Sequence, residues 1–417
     1  MNDFSLSLFD LVRCLSRAMD LIDSHLVQHH ERVAVIAGHL AKELGFSLEE
    51  RRNLLLAGLL HDSGALSLEE RLGALSFDSD SEFHRHAEIG FRLLKDFNVE
   101  GFEPLDEVAR IIRYHHLPWR EKNPEVSFSS QVLLLADRLS VLVGPQRTVL
   151  GEAESILGKV EELSGELFAP EALAALRRLS HKEFFWLEAS QPRIRFEKSA
   201  WRIRNLEGLK EMGRLFAKVI DFRSRFTATH TSGVAVSAEM LGRFCGMSEK
   251  DCGLLWVAGC FHDLGKLAVP NEILEKPKAL NEAEFNVVRA HTFHTYSVLE
   301  AIPSLHLVNT WASFHHERLD GKGYPFHLGA GDLSLGSRVM AVADVFTALS
   351  EDRPYRTGMD PERMRGILEQ MALGGALDSN VVATLGENHR ELDQMRASTQ
   401  AKALEEYRAF GVSTGNA

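Results

Sequence analysis

The sequence predicts an all-α protein made of two tandem helical bundles, and three observations carry that expectation. Apolar residues recur at helical spacing, alternating strands with tight Asn-Gly turns are scarce, and one long pattern occurs twice. Leu11, Leu15, Ala18 and Ile22 share one helix face. Val33, Ile36, Ala37, Leu40 and Leu44 form the next stripe, which Gly45 ends. Ser47 can cap the following helix, with Glu50 completing a capping box. The run LEERRNLLLAGLLHD reads as helix with His61 and Asp62 near its C-terminal end. AEMLGRFCGMSEKDCGLLWVAGCFHD repeats this layout in the second half.

The repeat extends along the chain. HHERVAVIAGHL from His29 matches HTSGVAVSAEML from His230 in its apolar positions, and LLLAGLLHDSG matches LLWVAGCFHDLG. The same interval separates His29 from His61 and His230 from His262. His30 leaves an ambiguity, but only His29 keeps that interval and the VAV register. HAEIGFRLL from His86 resembles HTFHTYSVL from His291, RYHHL (His115, His116) resembles SFHHE (His315, His316), and LLLADRLSVL around Asp137 resembles MAVADVFTAL around Asp344. The expected domains are residues 1–195 and 196–417. The joint near 188–206 has a proline, mixed charge and weak periodicity, and reads equally as a linker or a short strand pair.

Composition narrows the function. With 417 residues, two or three domains are expected, each able to bury a core. Hydrophobic residues at 45 % and charged residues at 25 % are ordinary globular values. A net charge of −12 disfavours long nucleic acid as a partner. A small anionic substrate stays open, because metal ions and local cations can invert the field of one site. Cys14, Cys245, Cys252 and Cys260 form no CxxC pair, so they read as small core residues in a reducing compartment. The N-terminus lacks signal-peptide features and no apolar run approaches a membrane span, so a soluble, cytoplasmic protein with no membrane partner is expected.

His230, His262, Asp263, His291, His315, His316 and Asp344 bring five imidazoles and two carboxylates. Such donors suit Fe, Mn, Ni, Co or Zn better than Ca or Mg. Seven exceed the roughly four to six that one ion takes, but fit two divalent ions sharing a carboxylate. Asp263, next to His262, is the natural bridge, and an ionised aspartate after the apolar run LLWVAGCFH needs a partner. His294, His306, His327 and His389 are isolated and read as ordinary surface or core histidines.

HDLGK at His262–Lys266, HHERLDGKGYP at His315–Pro325 and RPYR at Arg353–Arg356 resemble the HD-GYP subgroup of the HD-domain phosphohydrolase superfamily over about residues 205–400. The resemblance implies a helical bundle around a bi- or trinuclear centre, often iron or manganese. It also implies hydrolysis of a 3′–5′ phosphodiester in a cyclic dinucleotide, cyclic di-GMP or cyclic GMP-AMP. Carried over, the seven residues above are the metal ligands, Asp263 and Lys266 are catalytic, and Lys266 faces the scissile phosphate. Gly323, Tyr324 and Pro325 form the nucleotide-contacting loop. Arg353 and Arg356 bind phosphates, against the plainer reading of a solvated helix start. Two positions depart from the family. Phe226 stands where three-metal members have glutamate, so two ions are expected and the linear dinucleotide is the main product. Thr295 replaces a family glycine, which looks tolerable.

The N-terminal copy keeps His29, His61, Asp62, His86, His115, His116 and Asp137 in the same order, as a candidate second metal site. It resembles a plain HD domain: Ala65 replaces the lysine, HHLPW replaces the GYP motif, and no RPYR follows. Three readings stand for this half: a metal-loaded but catalytically weak domain, a second hydrolase, or a metal-free scaffold or sensor. For the whole chain, a nucleotidase or a non-catalytic cyclic-dinucleotide receptor are the alternatives to the phosphodiesterase, and a homodimer is a further expectation.

Overall fold

The computed structural model describes residues 5–21, 27–65, 85–97, 105–144, 148–194, 201–222, 229–351 and 358–410. Ile22, Phe226, Arg353 and Arg356, which carried expectations above, lie outside the described residues. Helices dominate. Among the described residues the one sheet is a two-residue ladder of Leu6–Ser7 with Arg202–Ile203. The chain divides into two compact units, Ser7–Arg202 and Ile203–Ala417 with Met1–Leu6. At the joint, helix Glu183–Ser190 ends before the strand Arg202–Ile203.

In the N-terminal unit, helix His29–Glu43 is packed between Leu48–Leu60 and Phe128–Val143. Val33, Ile36, Ala37 and Leu40 are fully buried, as the stripe predicts, while Leu44 is half-exposed. The capping box forms: the Glu50 amide donates to Ser47 Oγ (3.2 Å) and the Ser47 amide to Glu50 Oε2 (2.8 Å). Helices Arg85–Leu94 and Asp106–Arg113 pair beside them. Phe168, Phe185 and Trp186 close the core, with the Trp186 indole donating to the Ser180 carbonyl (2.9 Å).

The C-terminal unit repeats this plan. Helix His230–Phe244 packs against Glu249–Phe261, Leu335–Ser350 and the long last helix His389–Ala409. Ser248 caps as Ser47 does, accepting from the Asp251 amide (3.1 Å). Phe216 and Phe261 pack as tilted rings with centroids 4.6 Å apart and neither is exposed. Truncating such a ring to alanine costs about 3–5 kcal/mol. All four cysteines are free thiols; Cys14, Cys252 and Cys260 are buried, and burial pushes the Cys14 thiol up to about 12. No helix among the described residues is long and apolar enough to cross a membrane.

Candidate metal centre

All seven candidate ligands of the C-terminal unit converge. His230 opens its helix, His262 and Asp263 leave the end of Glu249–Phe261, and His291 lies within Glu282–Leu299. His315 and His316 follow His306–Ser313, and Asp344 lies within Leu335–Ser350. His230, His262 and Asp344 form one cluster, with His230 Nε2 3.2 Å from Asp344 Oδ1. His291, His315 and His316 form the other. Asp263 lies between them: Oδ2 is 3.2 Å from His262 Nε2, and Oδ1 is 3.4 Å from His291 Nε2. His316 is the most exposed of the seven, with Nδ1 3.8 Å from Asp344 Oδ2.

The donor set fits transition-metal ions. His262, His291 and His315 each turn Nδ1 back to the carbonyl three residues earlier: Gly259 (2.7 Å), Val288 (2.5 Å) and Ala312 (2.6 Å). An Nδ1–H that donates leaves the lone pair on Nε2, the tautomer a metal needs. His291 Nε2 and His315 Nε2 then face each other at 3.4 Å, two lone pairs that a shared cation would reconcile. His262 Nε2 and Asp263 Oδ1 are buried without a hydrogen-bond partner among the described residues. Burial opposes ionisation of Asp263, but His262 and Lys266 outweigh it and hold the carboxyl well below its usual range. Burial likewise drives His291 down to about 3, so it stays neutral near pH 7, as a metal ligand must.

Several partners of this cluster were not foreseen. Glu351 Oε1 accepts from His230 Nδ1 (2.8 Å), and Gln400 Nε2 donates to Glu351 Oε2 (3.0 Å). Asp221, buried, accepts from the Thr231 hydroxyl, and Asp20 pairs with His30 at the same spacing in the other unit. Thr295 is more than tolerated. Its hydroxyl donates to the His262 carbonyl (3.1 Å) and accepts from the Gly265 amide (2.9 Å), tying the His-Asp turn to the third-histidine helix. Gly265 itself permits this approach, since a Cβ there would lie 1.9 Å from the His291 carbonyl oxygen. Gly64 repeats the contact at 2.2 Å from the His86 oxygen.

Lys266, in the turn Leu264–Ala268, places Nζ 2.5 Å from Asp263 Oδ2. Tyr324 lies against the rim: its ring centroid is 5.0 Å from that of His316, and the Arg289 guanidinium is 5.1 Å from its face. Burial pushes the phenol up, so it remains a neutral donor. Gly323 passes so close to Glu317 that a Cβ would lie 2.4 Å from its Cα. Pro325 follows in a cis peptide. The buried Glu317 carboxylate then holds the outgoing chain, accepting from the Phe326 (2.7 Å) and Leu328 (3.0 Å) amides. Phe285, Phe293 and Phe326 present exposed rings nearby.

The N-terminal candidates also converge. His29 Nε2 is 3.3 Å from Asp137 Oδ1 and 3.3 Å from His61 Nε2, and His61 Nε2 is 3.3 Å from Asp62 Oδ2. Asp62 Oδ1 faces His86 Nε2 at 3.2 Å, beside His115 and His116. His30 turns Nδ1 to Asp20, whereas His29 reaches Asp137.

Models of the HD domain match residues 26–142 and 214–381. The chain is 31 % identical over 404 residues to the 3′3′-cGAMP-specific phosphodiesterase 1 of Vibrio cholerae, covering 92 % of each chain. It is 28 % identical over 447 residues to phosphodiesterase 3 of the same set, covering 92 % of this chain and 94 % of that one. It is 32 % identical over 181 residues to the cyclic di-GMP phosphodiesterase response regulator RpfG of Xanthomonas campestris, covering 43 % and 48 %. In fold it is similar to the crystal structure of the V. cholerae cyclic GMP-AMP specific phosphodiesterase V-cGAP3, at TM-score 0.64 and 24 % identity over 93 % and 98 % of the chains. A helical bundle, two copies of the His-Asp cluster and a relative matched along its length together have one meaning: this chain belongs to the HD-domain metal-dependent phosphohydrolases, an N-terminal HD domain followed by one of the HD-GYP type.

Proposed function

We propose that the C-terminal domain hydrolyses one 3′–5′ phosphodiester of a cyclic dinucleotide, with 3′3′-cyclic GMP-AMP as first substrate and the linear dinucleotide as product. The observation that carries this is Asp263, whose two oxygens face two separate clusters of histidine Nε2 atoms. The preference for cyclic GMP-AMP rests on the relatives matched over 92 % or more of their length, which carry that substrate in their names.

His230, His262, Asp344 and Asp263 would hold one divalent ion, and Asp263, His291, His315 and His316 a second, with iron or manganese best suited to the donors. When bound, the pair supplies Lewis-acid charge and an acidified water. Lys266, 2.5 Å from the Asp263 carboxylate, would bring an ammonium to the place where charge develops on the phosphoryl oxygens. In the net reaction the hydroxyl of water stays on phosphorus, and the departing sugar oxygen takes up a proton. Glu317 fixes the loop that brings Tyr324 to the rim, where a neutral phenol and an exposed aromatic edge suit a nucleotide. Arg353 and Arg356 remain candidates for the second phosphate.

The test is to incubate anaerobically purified, Mn(II)- or Fe(II)-loaded protein with 3′3′-cyclic GMP-AMP, cyclic di-GMP and nucleoside monophosphates, and to separate the products. A linear dinucleotide from cyclic GMP-AMP is expected. Release of phosphate from monophosphates alone would make the chain a nucleotidase. Binding of a cyclic dinucleotide without turnover at full metal occupancy would make it a receptor.

A further inference from the structure

We infer that Arg138 caps His116 at the edge of the second metal subsite of the N-terminal domain and limits that domain to a single ion, held by His29, His61, Asp62 and Asp137. The residue is buried at 1 % exposure, directly after Asp137 on helix Phe128–Val143. Its position in the other domain is taken by Val345. One Arg138 terminal nitrogen stands 2.9 Å from His116 Nδ1 and 3.6 Å from Asp137 Oδ2. In the C-terminal domain the matching atoms, His316 Nδ1 and Asp344 Oδ2, face each other at 3.8 Å. The guanidinium is thus inserted between the two groups.

Donor and acceptor counting does the rest. A guanidinium offers only N–H donors, so His116 Nδ1 accepts and the ring proton sits on Nε2. That Nε2–H points at His86 Nε2, 2.9 Å away, and uses its lone pair. Neither imidazole is left to bind a metal. Their C-terminal counterparts differ. There His291 spends Nδ1–H on the Val288 carbonyl and keeps its Nε2 lone pair, and His316 Nδ1 faces Asp344 Oδ2, whereas the fourth histidine is alike in both domains, His115 and His315 each turning Nδ1 to a backbone carbonyl. In the N-terminal domain, His86 Nδ1 is buried with no hydrogen-bond partner among the described residues.

The first subsite is undisturbed. His61 Nδ1 donates to the Gly58 carbonyl (2.9 Å), and His29 Nδ1 lies 3.1 Å from Ser140 Oγ. Their Nε2 atoms and the Asp137 Oδ1 converge as in the other domain. Arg138 supplies, as a fixed cation, the charge that a second ion would bring next to Asp137. A domain with one ion lacks the paired centre that clamps both the attacking and the leaving oxygen of a phosphodiester.

The experiment counts metal rather than turnover. The full chain carrying H262A and D263A, which dismantles the C-terminal centre, is loaded anaerobically with Mn(II). It is then analysed by elemental mass spectrometry and low-temperature electron paramagnetic resonance. One manganese per chain with the six-line spectrum of an isolated ion is expected, and adding Asp62→Ala should release it. Adding Arg138→Val instead should raise the count to two and give an exchange-coupled spectrum. Two ions with Arg138 in place, none at all, or an ion that survives Asp62→Ala would overturn the inference. So would a folded Arg138→Val variant that still binds one. Should Arg138→Val fail to fold, His116→Ala decides: His116 is not a ligand on this account, so loss of the ion in that variant would refute it.

Discussion

The first histidine of each domain leans on a different support. His230 gives its Nδ1–H to the carboxylate of Glu351, which Gln400 steadies from the last helix. His29 Nδ1 instead lies against the hydroxyl of Ser140. A carboxylate behind an imidazole raises its basicity and fixes its plane, whereas a hydroxyl mainly orients it. The third and fifth histidines diverge further: His291 has a backbone carbonyl behind Nδ1 where His86 has none among the described residues, and His116 has a guanidinium at Nδ1 where His316 faces Asp344. The ligand skeleton is thus duplicated while its supports are not, and the supports decide how much charge each centre can carry. The same contrast holds at the rim: Lys266 and the Glu317-anchored loop face one centre, and Ala65 and the Leu117–Pro118 turn follow the other.

The largest effect that could break this comparison is at the aspartates of the two His-Asp pairs. Asp263→Ala should lower cyclic-dinucleotide hydrolysis by at least about 10³-fold, while Asp62→Ala should leave the rate within the same order of magnitude. Initial rates by chromatography on metal-loaded protein would decide. Equal losses from both variants would mean that the N-terminal centre takes part in turnover. Next in size is Lys266→Ala. With its charge gone but all ligands kept, kcat should fall about 10²-fold at unchanged metal content. A drop in bound metal would instead make the Lys266–Asp263 pair a structural device.

The supports themselves give a smaller and more diagnostic difference. Glu351→Ala should weaken metal binding in the C-terminal domain by about 10–100-fold, as losses of such outer partners do. Ser140→Ala should weaken the N-terminal site by less, because a neutral hydroxyl contributes less to ligand basicity. Competitive chelator titration of each variant measures both. Should Ser140→Ala prove the more damaging, the ranking of the two supports would be reversed.

Much of this was readable from the sequence, and the reason is spacing. Helical periodicity and the shared His29–His61 and His230–His262 interval survive as local pattern, so the two bundles and the order of their histidines could be read directly. Helix ends were legible where a side chain caps its own backbone, as at Ser47. Glu351 and Gln400 were not, because each is a single polar residue on a helix or at its end, and only the fold brings them to His230. Asp20 and Asp221 escaped for the same reason, although their equal offsets from His30 and Thr231 are visible once sought. Arg138 did leave a signal. An arginine inside the apolar run LLLADRLSVL has to find an acceptor in the core. Which acceptor it finds depends on the ring of His116, 22 residues earlier.

Thr295 gives the smallest effect and sharpens the comparison at the level of stability. In the N-terminal domain the matching position is Gly90, where a Cβ would lie 3.2 Å from the Ile112 Cγ2. In the C-terminal domain a fully buried threonine fills that place and makes two hydrogen bonds across the His-Asp turn. Thr295→Gly would leave the Gly265 amide and the His262 carbonyl without that partner and add backbone freedom within a helix. A buried polar group left unpaired costs about 1–3 kcal/mol, and glycine in a helix interior adds roughly 0.5–1 kcal/mol. Denaturant unfolding of the metal-free protein should therefore show a loss of about 2 kcal/mol. Thr295→Ser keeps the hydroxyl and should recover most of it. If Thr295→Ser were as unstable as Thr295→Gly, the methyl packing rather than the hydroxyl bridge would be what holds the turn to the third-histidine helix.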